Sequence, residues 1–126
     1  MGSMNYQHRT LAAGRWRELS LVEQMANIGS EVHRTAKWKG KGNELYWRKA
    51  FERALELIDL TIDDEKNRGR LREIVRVREA LADYFVFDNE YHTTDRIWLR
   101  YFDAFTWAAR AGTRGHGSCS GSGSAQ

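Results

Sequence analysis

The chain has no proline and only one cysteine among its 126 residues. Because proline interrupts helix interiors, its absence leaves every segment free to continue as a helix. The single Cys119 excludes an internal disulfide framework and is typical of a reducing compartment. No apolar run approaches the roughly 18–20 residues of a membrane-spanning helix, and residues 1–10 are polar, unlike a signal peptide. We therefore expect a cytoplasmic protein with no membrane partner.

Motifs for catalysis are also missing. The sequence has no glycine-rich phosphate loop, activated serine or catalytic cysteine pattern. The Glu-x-x-His pair of metal-binding helix bundles does not occur, and Glu31 and His33 would lie on different faces of a helix. We interpret His116 and Cys119, in a glycine- and serine-rich segment, as incidental. The expectation is no enzyme, metal, cofactor or small-molecule substrate, with a metal-dependent bundle enzyme kept only as a third hypothesis.

Both ends look added to a folding unit. Residues 1–4 read Met-Gly-Ser-Met, which resembles a cloning scar before a second start methionine. Residues 112–126 are rich in glycine and serine, as flexible linkers are. We predict a flexible segment over residues 1–18, one folded domain over 19–111 and a flexible tail over 112–126.

What is present is a helical pattern between these ends. Ser20 and Glu23 form a capping box ahead of the first apolar stripe, and Gly29 within that stripe predicts the close approach of a neighbouring segment. Asn43 is a favourable cap for the start of the second helix, and Gly112 is placed where a left-handed residue would end the last helix. The expected helices cover about 20–38, 43–62, 68–85 and 94–110. Short connections between them predict an all-α, antiparallel, up-down-up-down four-helix bundle.

Positive charge is concentrated where the first two helices meet. The net charge is only +3, but residues 1–43 carry seven Lys/Arg against three Asp/Glu. Cations neutralise phosphates and aromatic faces stack on bases, so a basic and aromatic corner predicts contact with RNA or DNA. The candidate residues are Arg34, Lys37, Trp38, Lys39, Lys41, Arg48 and Lys49. The alternative is a solvated loop between helices, with Trp47 and Trp38 in the core.

The third helix carries two arginine features. Arg68, Arg72 and Arg76 recur every four residues on one face, and we favour a structural ion-pair face there over a track for phosphates. Arg78 falls on the core side of the helix, where a charge needs a partner. Glu31, Glu56 and Asp59 lie on helices that could supply this partner, and we predict a core ion pair between Arg78 and Asp59.

The fourth helix has more apolar residues than one face can hold, which predicts burial on more than one side. We therefore expect self-association, with the interface residues Ile97, Trp98, Leu99, Tyr101 and Phe105. The alternative is that this helix lies centrally and that the loop aromatics Phe87 and Tyr91 fold over it.

The segments LSLVEQMANIGSEVHR, KAFERALELIDLTIDD, RVREALADYF and YFDAFTWAAR, with Leu21-x-x-Gln24 among them, resemble a group of small uncharacterised bacterial proteins. More distantly, residues 19–110 are similar to the four-helix-bundle proteins encoded within 23S rRNA intervening sequences and to the accessory proteins of diversity-generating retroelements. The resemblance implies a basic homo-oligomer, often pentameric, that binds nucleic acid or a reverse transcriptase.

Two hypotheses of function follow. The first is a non-enzymatic accessory bundle that binds RNA, DNA or a nucleoprotein partner through the basic corner, as a homo-oligomer. The second is a structural or engineered scaffold that assembles through its fourth helix.

Overall fold

The computed structural model describes residues 14–118, with side chains to residue 112. Within this range the chain is all-helical and contains no strand, which confirms the predicted helical class. A helical turn at residues 14–16 precedes the first long helix, and a 3₁₀ segment, Glu65–Arg70, lies between the second and the third. The long helices are α1 (Leu21–Gly40), α2 (Glu44–Asp63), α3 (Leu71–Phe85) and α4 (Asp95–Ser118). No helix in the described range is long and apolar enough to cross a membrane.

Side chains cap the starts of α1 and α2 as the sequence predicts. The Ser20 hydroxyl accepts from the Glu23 amide at 3.1 Å, and the Glu23 carboxylate accepts from the Ser20 amide at 2.9 Å. The Asn43 side chain accepts from the Tyr46 amide at 3.1 Å. Between the two helices, Gly42 has φ +76°, a conformation that costs glycine little. These bonds satisfy amides that the first turn of a helix leaves without partners.

Helix α1 packs against both α2 and α4, and it approaches α4 closely at Gly29. A Cβ atom built on Gly29 would lie 2.7 Å from Cβ of Phe102 on α4, which is fully buried. Any larger residue at position 29 would push α4 away, which explains a glycine inside a helix. The close approach predicted at this residue is therefore present.

The folded region is longer than the predicted 19–111 at both ends. Trp16 is buried, and its indole N–H donates to the Thr61 hydroxyl at 2.9 Å, so the core includes a residue that we had assigned to the flexible segment. Helix α4 continues through Gly112 to Ser118. Gly112 does not have a positive φ and acts as an interior helix residue, at a cost of about 1 kcal/mol relative to alanine. The proposed scar at residues 1–4 and Cys119 lie outside the described residues.

A buried polar network joins the start of α1 to the end of α2. The Gln24 amide donates to the Trp16 carbonyl and to the Asp64 carboxylate, both at 2.9 Å. The Asn67 amide donates to the Gln24 side-chain oxygen at 2.8 Å and to the Thr61 carbonyl at 2.9 Å. No enclosed side-chain polar atom in the described residues is without a partner. The network therefore fixes how these elements meet without leaving a polar group unsatisfied.

The ionised carboxylate of Asp64 is stabilised within this network. Burial by itself raises the pKa of Asp64, but hydrogen bonds from Lys66 and Gln24, together with the positive charge of Lys66, lower it further than burial raises it. The net result is a pKa below the usual value of 3.8. The folded state therefore favours the charged form of this buried acid.

Two tyrosines connect α3 to α4. The Tyr101 hydroxyl donates to the Glu73 carboxylate at 3.0 Å, and the Tyr84 hydroxyl donates to the Asp95 carboxylate at 2.6 Å. Burial, reinforced by the bond to Asp95, raises the pKa of Tyr84 to about 12. Burial and the bond to Glu73 raise the pKa of Tyr101 as well. Both hydroxyls therefore remain protonated donors through the neutral range.

Candidate nucleic-acid interface

An open groove runs between the second half of α1 and the first half of α2. Its volume is about 470 Å³. Three cations, one carboxylate and two aromatic rings contribute most of its surface. The lining residues are Glu31, Arg34, Trp38, Tyr46, Lys49, Ala50 and Arg53. Arg34, Trp38 and Lys49 are thus brought together as members of the predicted basic corner.

The aromatic end of the groove is formed by Trp38 and Tyr46. Their rings meet edge to face, with centroids 4.9 Å apart. Trp38 is half-buried and Tyr46 is exposed, so the pair offers ring surface to solvent. The ammonium groups of Lys37 and Lys41 lie 5.4 Å and 5.3 Å from the Trp38 ring centroid, within cation–π range. Two flexible cations are therefore held beside the exposed ring pair.

A single acid, Glu31, forms the floor of the groove. Its side chain is 10% exposed, and its Oε2 pairs with Arg34 Nη1 at 3.0 Å and with Arg53 Nε at 3.4 Å. The two arginine side chains are 62% and 70% exposed, so the ion pairs orient them while their remaining N–H groups face solvent. With Lys49, the groove carries three positive charges against one negative charge.

The fold itself uses two of the predicted binding cations, which do not line the groove. The Lys39 ammonium donates to the Phe85 carbonyl at 2.7 Å and lies 4.6 Å from the Trp47 ring centroid, which ties the end of α3 to α1. Arg48 pairs with Glu44 at 2.8 Å and stacks over Trp47 at 4.7 Å. Because Trp47 is buried, these two cations cover a core residue.

The sequence prediction missed Arg53 as a groove residue. Arg53 follows Lys49 by four residues, so the two share a helix face, and that spacing could have revealed it. Tyr46 completes the groove through its contact with Trp38 of the preceding helix.

Arg78 and Asp59 lie together, with Nε and Oδ1 2.8 Å apart. Their side chains are 37% and 39% exposed, so the pair lies at the boundary of the core and not inside it. A pair so accessible to water contributes about 0–1 kcal/mol to stability.

The arginines of the 3₁₀ segment and α3, which we predicted to form an ion-pair face, do not form one. Arg68, Arg72 and Arg76 are exposed, and none of them forms an ion pair or a side-chain hydrogen bond with any described residue. Glu73, which follows Arg72 in the sequence, instead pairs with Arg70 at 2.7 Å and with Tyr101. Since those two residues occupy Glu73, this carboxylate is not a partner of the three arginines.

The predicted α4 interface is wrong for Trp98. This residue is 6% exposed, its ring stacks on Phe102 at 6.1 Å, and its N–H donates to the Thr93 hydroxyl at 2.9 Å. Leu99, Tyr101 and Phe105 are half-buried within the protomer. Only Ile97, at 50% exposure, is largely open among the predicted residues. The error arose because the interior accommodates more of the α4 aromatics than one helical stripe suggested.

No group of three His, Cys, Asp or Glu side chains in the described range could hold a metal ion. The nearest contact of this kind is His33 Nε2 to Asp103 Oδ1 at 3.4 Å, between two exposed residues. Comparison with protein-family models, with curated proteins and with solved structures gave no match to this chain.

Proposed function

We propose that this protein is a non-enzymatic module that binds single-stranded segments of RNA or DNA in the groove between α1 and α2. The observation that carries the proposal is the meeting, in one open groove, of outward-facing cations with exposed aromatic rings. Arg34, Lys49 and Arg53 supply charge for phosphates, and Trp38 with Tyr46 supplies ring surface for bases.

The acid in the groove fits this function. Glu31 holds Arg34 and Arg53 in place, which lowers the conformational entropy that each arginine would lose on binding. Guanidinium groups stack on bases and form bidentate hydrogen bonds to phosphate. Oriented arginines can therefore bind both the base and the phosphate of a nucleotide.

The test is the affinity for labelled single-stranded RNA in about 50 mM salt, where electrostatic binding is strong. We expect the triple variant Arg34→Ala, Lys49→Ala, Arg53→Ala to bind at least about tenfold more weakly than the wild type. The matched control replaces the exposed arginines 96, 100 and 110 of α4 with alanine, which removes the same charge elsewhere.

Equal loss of affinity in both triple variants would mean that net charge, and not the groove, drives binding. No binding by the wild type would refute the proposed function outright. Thermal unfolding of each variant, followed by circular dichroism, establishes that the proteins compared are folded.

We also infer that the four helices form an antiparallel bundle. Contacts run in opposite order along neighbouring helices, which supports this arrangement. Lys39 near the end of α1 reaches Trp47 near the start of α2, whereas Gln24 near the start of α1 reaches Asp64 just past the end of α2. Tyr84 near the end of α3 reaches Asp95 at the start of α4, whereas Glu73 near the start of α3 reaches Tyr101 further along α4.

A second candidate function is self-assembly through the outer face of α4. The observation that favours it is Trp107, which is 70% exposed and is flanked on the same helical face by the exposed residues Ala104, Ala108 and Ala111. Small residues around a large aromatic ring let a second helix approach closely, and interface centres are enriched in tryptophan.

Light scattering tests this second candidate. We expect the wild type to exceed the 14.6 kDa mass of one chain and Trp107→Lys to reduce it to that mass. Phe87→Lys is the control, because Phe87 is equally exposed at 71% but lies outside α4. A wild type that stays monomeric at high concentration would contradict this candidate.

A further inference from the structure

The outer surface of α3 and the preceding 3₁₀ segment form a second basic surface, here called the α3 face. It encloses an open groove of about 740 Å³. The residues that line it are Arg68, Gly69, Leu71, Arg72, Val75, Arg76 and Glu79. Three arginines against one acid make this surface positive.

These arginines are not used by the fold. Arg68, Arg72 and Arg76 are exposed and have no ion pair within the described part of the chain, in contrast to Arg70, which is bound to Glu73. An arginine without an internal carboxylate has all its N–H groups available and keeps its charge at any physiological pH. The α3 face is therefore a site for an external anion of extended shape.

The α3 face differs from the groove between α1 and α2 in one decisive respect. None of its lining residues is aromatic; the apolar part of its surface comes from Leu71 and Val75. Without rings it offers no stacking surface for unpaired bases. Arg72 and Arg76 stand one helical turn apart, about 6 Å along the axis, and so present charge to successive phosphates.

A duplex is the nucleic acid that suits such a surface. Its bases are stacked on each other inside, so proteins recognise it largely through phosphates and sugars. The two surfaces share no lining residue, so a ligand on one does not block the residues that line the other.

We propose that the α3 face binds the phosphate backbone of a duplex, and that the ligand of this protein is a nucleic acid in which a duplex adjoins a single-stranded segment. The single-stranded part of this statement rests on the proposed function. The duplex part rests only on the unpaired arginines.

The experiment measures affinity for three labelled RNAs: a short blunt duplex, a single strand, and the same duplex with a single-stranded tail. We expect the wild type to bind the tailed duplex most tightly. The variant Arg68→Gln, Arg72→Gln, Arg76→Gln should lose about tenfold in affinity for the blunt duplex at low salt and keep its affinity for the single strand.

The groove variant of Arg34, Lys49 and Arg53 should show the reverse pattern and serves as the internal control. Arg68, Arg72 and Arg76 are exposed and have no ion pair within the described residues. Glutamine at these three positions should therefore leave the fold unchanged, which circular dichroism checks.

A face variant that binds the blunt duplex as tightly as the wild type overturns the inference, as does a wild type that binds no duplex. If polyglutamate displaces the duplex at an equal concentration of charge, the surface accepts acidic chains in general and the inference is again overturned. Failure of the proposed function looks different, because there the single strand does not bind while the duplex still responds to the α3 arginines.

Discussion

The two ends of α1 contrast in what happens to their polar side chains. At the N-terminal end, Gln24 lies in a buried network in which every polar atom has a partner inside the protein. At the C-terminal end, Lys37 and Lys41 are exposed, and their ammonium groups lie over the face of Trp38. The polar groups at the N-terminal end, here called the closed end, are satisfied inside the protein, whereas the lysines at the C-terminal end are accessible to an external ligand.

The contrast shows that residue type does not decide whether a polar side chain serves the fold or a ligand. Lys39 lies between Lys37 and Lys41 in the sequence, but it donates to the Phe85 carbonyl and belongs to the fold. What separates the two roles is whether a side chain already has partners and how far it is buried.

The largest expected effect is a loss of stability when the buried network at the closed end is disrupted. Asn67→Leu removes the donor to the Gln24 side-chain oxygen and to the Thr61 carbonyl. The buried Gln24 oxygen is then without a partner, whereas the Thr61 carbonyl still accepts from the Asp64 amide at 3.3 Å. We expect a loss of about 2–3 kcal/mol in the free energy of unfolding, measured by urea denaturation. The control is Asn27→Leu on the exposed side of α1, expected within about 0.5 kcal/mol of wild type. Equal losses in both variants would show that the network does not stabilise the fold.

A smaller difference in stability is expected between variants of the neighbouring residues Lys39 and Lys37. Lys39→Ala removes a charged donor to the Phe85 carbonyl and the cation over Trp47, so unfolding should become easier by about 1 kcal/mol. Lys37→Ala removes only an exposed contact with Trp38 and should change stability by less than about 0.5 kcal/mol. Urea denaturation of the two variants side by side is the measurement. Identical midpoints would refute the assignment of Lys39 to the fold.

The smallest effect is a pH dependence at the closed end. The pKa of Asp64 lies below its unfolded value of 3.8, so the stability that this carboxylate contributes is complete above pH 3.8 and is lost as pH falls through the lower, folded pKa. Asp64→Asn should flatten the acid limb of a plot of stability against pH. Asp63→Asn, at the exposed neighbouring position, should leave that limb as it is in the wild type. An unchanged acid limb in Asp64→Asn would contradict the assignment.

The sequence was a good guide wherever local bonds decide structure. The Ser20 and Glu23 capping box, the Asn43 cap and the tight packing at Gly29 all follow from spacing along one helix or from the steric need for glycine. The helical class follows from the same periodicity. The boundary at residue 19 failed because Trp16 is buried by a contact with Thr61, 45 residues away, which no local pattern reveals.

The candidate site was only partly predictable for the same reason. A cluster of cations in the sequence identified the corner, and helical spacing could have added Arg53. Whether Lys39 faces a carbonyl or solvent, and whether a tyrosine of α4 binds Glu73, depends on which helices become neighbours. The burial of Trp98 is likewise a property of the assembled core.

The most direct test of the central claim, that the cations of the groove between α1 and α2 bind nucleic acid, is the slope of log affinity for single-stranded RNA against log salt concentration. Each phosphate contact contributes about −0.7 to that slope, so removing Arg34, Lys49 and Arg53 should flatten it by about 2. An unchanged slope in this variant, or no binding by the wild type in about 50 mM salt, would contradict the claim.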